Sequence, residues 1–155
     1  MNIVYSEEWS NIRKKPHKII STEEAFDKDK KGESYVAMIY VDSILERVIS
    51  INTNTYSVRF YEENQLLYLV YDFSKKRGQL FLNAVYHYEY EEGKKIQHTF
   101  FSFEEDGKML AERMNYLTNE VVEKEDEVDV SCNWEPIPSF GDYSSIMRKD
   151  RWKYC

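Results

Sequence analysis

Residues 79–103 read QLFLNAVYHYEYEEGKKIQHTFFSF, and their period decides the fold class. Leu80, Leu82, Ala84, Tyr86, Tyr88 and Tyr90 recur on one alternation, with Phe81, Asn83, Val85, His87 and Glu89 on the other. A period of two over that length predicts a long strand, apolar at its start and tyrosine-rich along one side. Glu91-Glu92-Gly93-Lys94 closes a hairpin into a second strand over 95–103, and Glu105-Asp106-Gly107 turns the chain again into 108–117. Leu110, Met114 and Leu117 also fit a helical spacing, but the surrounding meander favours a strand.

Upstream the same signals repeat. SYVAMIYV at 34–41 is apolar on both alternations, as in a strand covered on both faces. Asp42-Ser43 is turn-like, and 44–47 could form one helical turn. Segments 48–53, 56–61 and 66–73 are rich in β-branched and aromatic residues, separated by the turn-prone clusters 52–54 and 62–65. Ser74-Lys75-Lys76-Arg77-Gly78 reads as a solvated basic linker. Before residue 34 the pattern looks helical: 7–15 with Ser6 as N-cap, Trp9 and Ile12 on one face and Pro16 as stop, then a capping box at Ser21 and Glu24 that ends at Gly32.

The expected architecture is therefore α+β, mainly β, in a single domain over 1–155. A helical N-terminal segment (1–33) precedes one curved antiparallel sheet, a meander or half-barrel of about seven to nine strands (34–138). A turn and a short C-terminal helix, SSIMRKDRW, fill 139–155. Thirteen tyrosines and eight phenylalanines supply the core, and tyrosine lets its rim stay wet.

The formal charge of −7 is uneven. Residues 1–78 carry 12 basic and 12 acidic side chains, whereas 79–155 carry 9 and 16, so the whole excess of acid lies in the second half. Such a field disfavours phosphate backbones and anionic lipid and steers basic partners; no direct nucleic-acid or membrane binding is expected. The N-terminus has no apolar run suited to a signal peptide, and no stretch approaches the ~20 apolar residues of a membrane span. Cys132 and Cys155 lack metal-site spacing and suit reduced thiols, so the expected compartment is the cytoplasm.

Motifs for chemistry are sparse. There is no GxSxG, no phosphate-binding glycine loop and no cysteine with a nearby histidine in sequence. Centring the register on Gly93 makes His87 and His98 cross-strand neighbours, with Glu89 on the face of His87; two ring-fillers in an aromatic sheet are the plainer reading, an enzyme using the pair the sharper one. A pocket lined by Tyr86, Tyr88, Tyr90, Phe101 and Phe103 for a small apolar molecule is a further alternative. No catalytic residue, metal or cofactor is assigned.

The richest surface lies in 120–143, EVVEKEDEVDVSCNWEPIPSFGDY. Glu120, Glu123, Glu125, Asp126 and Glu127 crowd around Lys124. Val128, Val130, Cys132 and Trp134 then alternate with Asp129, Ser131, Asn133 and Glu135, which predicts a strand over 128–135 with one buried and one acidic face. Those five acids, the four polar residues of that strand, and Tyr88 and Tyr90 are the candidate contact residues for a basic protein partner. WEPIPSFGDY reads as the clamp that fixes this strand to the core.

VDVSCNWEPIPSFGDYSSI (128–146), following an aromatic β meander in a small acidic chain without catalytic motifs, resembles bacterial immunity proteins of contact-dependent-inhibition and polymorphic-toxin systems. The resemblance implies a cytoplasmic antitoxin, not an enzyme, that binds the toxin domain of a cognate effector, in many cases a nuclease, and covers its active site. That family has no shared set of binding residues to carry over.

Overall fold

A computed structural model of the chain describes residues 1–151. In chain order the elements are β1 (Asn2–Ser10), β2 (Lys15–Ile20), α1 (Thr22–Lys31), β3 (Tyr35–Val41), β4 (Ile44–Ile51), β5 (Thr55–Tyr61), β6 (Leu67–Lys76), β7 (Gln79–Glu91), β8 (Lys94–Phe103), β9 (Lys108–Asn115), β10 (Glu120–Glu127) and β11 (Trp134–Pro136). All eleven strands belong to one antiparallel sheet in the order β10-β9-β8-β7-β6-β5-β4-β3-β1-β2, with β11 on β7. β3 to β10 form an uninterrupted meander; β1 then adds outside β3, and β2 and β10 are left as the two ends of an open sheet.

The strand count exceeds seven to nine, chiefly because the N-terminus is a β-hairpin and the acid run is itself a strand. The helix expected over 7–15 does not form. Ile3 and Tyr5 join one face of the sheet and Val4 the other, and pairing with β3 overrides a weak helical spacing. Ser6 caps nothing; its hydroxyl donates to the Glu8 carbonyl at 2.9 Å. Pro16 is tolerated within β2 because this is an edge, where a missing N–H breaks no ladder. Helix α1 does carry the expected capping box, with Ser21 Oγ accepting from the Glu24 N–H at 3.1 Å and Glu24 accepting from the Ser21 N–H at 2.8 Å, and it ends at Gly32. Ala25, wholly buried, anchors it more than Phe26, which is 44% exposed.

Tight turns set the meander. Asp42-Ser43, Arg77-Gly78 and Glu92-Gly93 are two-residue connections with positive φ at both positions, the backbone that matches strand twist. Residues 44–47 are accordingly strand, with no helical turn, and 74–78 is a hairpin tip where a linker was expected. Its cations are engaged within the chain: Lys76 and Arg77 both reach Glu105, at 3.0 and 2.6 Å, and the Arg77 guanidinium lies 4.9 Å from the Trp134 ring.

β-Bulges alter which side chains share a face. Phe73 pairs with Leu82 and Asp72 with Ala84, so Asn83 is an extra residue in β7. Leu80 and Leu82 consequently lie with Val85 in the main core, while Phe81 shares the other face with Ala84, Tyr86 and Tyr88. The unbroken alternation expected from Leu80 to Tyr90 is thus interrupted once. The sheet is also strongly curved. Trp9 in β1 donates from its indole to the Tyr61 hydroxyl in β5 at 3.2 Å, although β3 and β4 intervene, a separation of about 14 Å in a flat sheet.

The helix and the C-terminal segment both pack on the main-core face, which holds Tyr35, Ile49, Phe60, Tyr71 and Leu80. WEPIPSFGDY supplies much of that cover. Phe140 stacks on Tyr5 at 5.2 Å and meets Phe26 and Tyr35, and the buried Tyr143 hydroxyl lies 3.2 Å from that of Tyr35, which donates to Asp29 at 2.8 Å. The terminal helix expected from SSIMRKDRW is only a 3-10 turn at Ser144–Ile146 followed by irregular chain; residues 152–155, including Cys155, lie outside the described residues.

Candidate partner-binding surface

β10 is an edge strand, and all eight of its residues are exposed. One valine pair, Val121-Val122, stands among six charged residues there, because the strand only needs to hold β9, not to enter a core. Its pairing with β9 divides the acids between two faces. Val122, Lys124 and Asp126 point to one side, where Lys124 and Asp126 form an ion pair at 3.5 Å. Glu123, Glu125 and Glu127 point to the other, together with Glu112 of β9. That second face is the one the helix and C-terminal segment leave uncovered. It also carries Tyr86, Tyr88, Phe100 and His98, and at its rim an open depression of about 760 Å³ runs past Ser102, Leu110, Glu125 and Glu127.

The remainder of the expected contact strand is not a strand. Residues 128–130 are irregular, Ser131–Asn133 is a 3-10 turn, and only β11 pairs with the sheet. Local side-chain bonding wins over alternation here: the Ser131 N–H donates to Asp129 at 2.9 Å, which holds the Asp129 carboxyl below the usual carboxylate range. The in–out pattern inverts, so that Cys132 is exposed and Asn133 buried. Asn133 Nδ2 donates to the Leu82 carbonyl at 2.9 Å, beside the bulge at Asn83. Glu135 is buried and forms ion pairs with Arg148 and Arg151. Asn133 and Glu135 therefore belong to the fold rather than to any contact surface, whereas Asp129 and Ser131 stay exposed at its margin.

Tyr88 and Tyr90 share the uncovered face, but they differ in freedom. The Tyr90 hydroxyl donates to the Leu67 carbonyl at 2.6 Å and ties β7 to β6, while the ring of Tyr88 is capped by Lys95 at 4.2 Å. The expected pocket of Tyr86, Tyr88, Tyr90, Phe101 and Phe103 is divided, because Phe101 pairs with Val85 on the opposite face.

The two histidines do not meet. The turn sets pairs that sum to 185, as in Glu91 with Lys94 and Tyr90 with Lys95, but Ile96 is an extra residue, and beyond it His87 pairs with Thr99 and His98 with Tyr88. A one-residue slip places the imidazoles on opposite faces. His98 has other company that sequence reading missed: its Nδ1 lies 2.6 Å from the Tyr116 hydroxyl and its Nε2 3.7 Å from Glu112. Among the described residues no group of three or more His, Cys, Asp or Glu side chains is placed to hold a metal ion, and no helix is long and apolar enough to cross a membrane.

No known protein family, curated protein or solved structure matches the chain.

Proposed function

We propose that this protein is a cytoplasmic immunity protein that binds a cognate secreted toxin domain, a basic nuclease, and neutralises it by covering its active site. The observation that carries the reading is β10: five carboxylates against one lysine on a fully exposed edge strand, none of them needed by the core. Rim carboxylates of this kind chiefly raise the association rate with a basic partner, while neighbouring aromatic side chains supply desolvated contact area. The same field disfavours a nucleic-acid or membrane partner.

The test is inhibition of, and association with, a basic nuclease toxin domain, taken from a large secreted effector if the neighbouring gene encodes one and otherwise from a basic domain that co-purifies with this chain, comparing wild type with Glu123→Lys/Glu125→Lys/Glu127→Lys. The reversal is expected to slow association at least ten-fold at low salt and to flatten its dependence on ionic strength. An unchanged rate and unchanged inhibition would remove β10 from the interface.

A further inference from the structure

The uncovered face contains one row whose composition differs from every other. In register across four strands stand Tyr86 of β7, Phe100 of β8, Glu112 of β9 and Glu123 of β10. Two aromatic rings, 4.8 Å apart and tilted by 33°, lead directly into two carboxylates. The flanking rows lack this sequence: Tyr88, His98, Met114 and Val121 on one side, Ala84, Ser102, Leu110 and Glu125 on the other.

Like charges directly opposite each other on neighbouring strands destabilise a sheet. Glu112 and Glu123 are such a pair, and the His98 Nε2 lies 3.7 Å from Glu112. The Glu112 side chain is 32% exposed and Glu123 is exposed, so both are open to a cation from outside. The rings beside them select the kind of cation. A guanidinium is planar and weakly hydrated; it can lie on a ring face while its N–H fork meets carboxylates, whereas an ammonium is a strongly hydrated point charge.

We infer that the row Tyr86–Phe100–Glu112–Glu123 is a binding site for an arginine side chain of the protein partner, the guanidinium seated between the two carboxylates against Phe100. The inference rests on the binding reading above for its choice of a protein partner. Its chemistry is independent of which toxin that is, and it moves the centre of the interface from the strand edge onto the sheet face.

Hexa-arginine and hexa-lysine peptides, equal in length and charge, provide the test when titrated into the full chain with affinity and aromatic ring resonances recorded. Hexa-arginine is expected to bind about five-fold more tightly than hexa-lysine, and to move the Tyr86 and Phe100 ring signals. Glu112→Gln should abolish that preference without lowering the thermal midpoint, because it removes a repulsion as well as a ligand. Phe100→Leu, which keeps apolar bulk in the sheet, should reduce the preference likewise. Equal affinity for the two peptides, ring signals that stay fixed, or a preference that survives in Glu112→Gln would overturn the inference. Those results leave the inhibitory reading standing, since it is judged by toxin association; loss of the toxin result with a retained arginine preference would do the reverse.

Discussion

Glu135 shows how a carboxylate that extends an acidic run can belong to the interior. It pairs with Leu80 in register, on the main-core side, and receives both Arg148 and Arg151; the Arg151 guanidinium in turn lies 5.4 Å from the Phe73 ring. Removing one member of a buried ion pair leaves the other charge desolvated, at a cost of about 3–5 kcal/mol. Glu135→Ala is therefore expected to lose about that much in urea unfolding, whereas Glu125→Ala should stay within about 0.5 kcal/mol of wild type. The folded fraction of the Glu135 variant should still bind its partner at the normal rate; a binding defect in fully folded protein would return Glu135 to the interface. Trp134 is a milder case. Its ring meets Phe81 at 4.8 Å and the Arg77 guanidinium at 4.9 Å but is only half-buried, and Trp134→Ala should cost about 2 kcal/mol, less than the ~3–5 kcal/mol of a fully enclosed aromatic. The clamp role of Trp134 was legible in the sequence, but that of Glu135 was not, because alternation records which residues could share a face, not whether local hydrogen bonds let the chain extend.

At the scale of elements, what could be read in the sequence was what is encoded locally. The capping box of α1, the Glu92-Gly93 turn and the Asp106-Gly107 turn each depend on a few adjacent residues, and each is found. β1 was missed because its β3 partner lies beyond a helix in the chain, and its local partner β2 carries Pro16 and three basic residues that do not read as a strand. The bulges at Asn83 and Ile96 were equally invisible: the first sets which β7 residues share the face of Tyr86, and the second separates His87 from His98 and aligns Tyr86 with Phe100 and so with Glu112 and Glu123. β10 was recognised as acidic but not as a strand, since five acids in eight residues mask the two valines that hold it to β9. How β10 leaves the sheet rests on Gly107. The Val128 N–H donates to the Gly107 carbonyl at 2.8 Å, Gly107 has φ +95°, and a Cβ there would sit 2.7 Å from the Val128 carbonyl oxygen. Gly107→Ala should consequently cost about 1–2 kcal/mol through strain and a displaced backbone. Faster amide exchange confined to β9 and β10 would accompany it; unchanged exchange there would mean the crossing is not needed to hold the edge.

For the molecule as a whole, one curved sheet does two jobs because its faces are treated differently. One face is closed by α1 and the Phe140–Tyr143 turn, and the other is left to its own side chains. The two ends are unlike as well: β2 carries Pro16 and lysines, β10 carries carboxylates, and both compositions discourage edge-to-edge pairing. The core beneath includes six buried tyrosines among the described residues, Tyr5, Tyr35, Tyr56, Tyr61, Tyr71 and Tyr143, which exposes it to alkali. Burial raises the Tyr35, Tyr71 and Tyr143 hydroxyls well above the normal phenol value of 10.0, and pushes Tyr56 up to about 12. For each, the folded state holds a proton that the unfolded chain gives up near pH 10. Their contribution to stability is accordingly complete below that pH and is lost as the pH rises from about 10 through about 12 for Tyr56, with the others still protonated when the fold gives way. The thermal midpoint should be flat through neutrality and fall steeply above pH 10, and tyrosinate absorbance should rise in one step that coincides with loss of near-ultraviolet circular dichroism. A gradual rise to full ionisation with the dichroism intact would show that these hydroxyls reach solvent within the fold, and that the tyrosine core is looser than its packing implies.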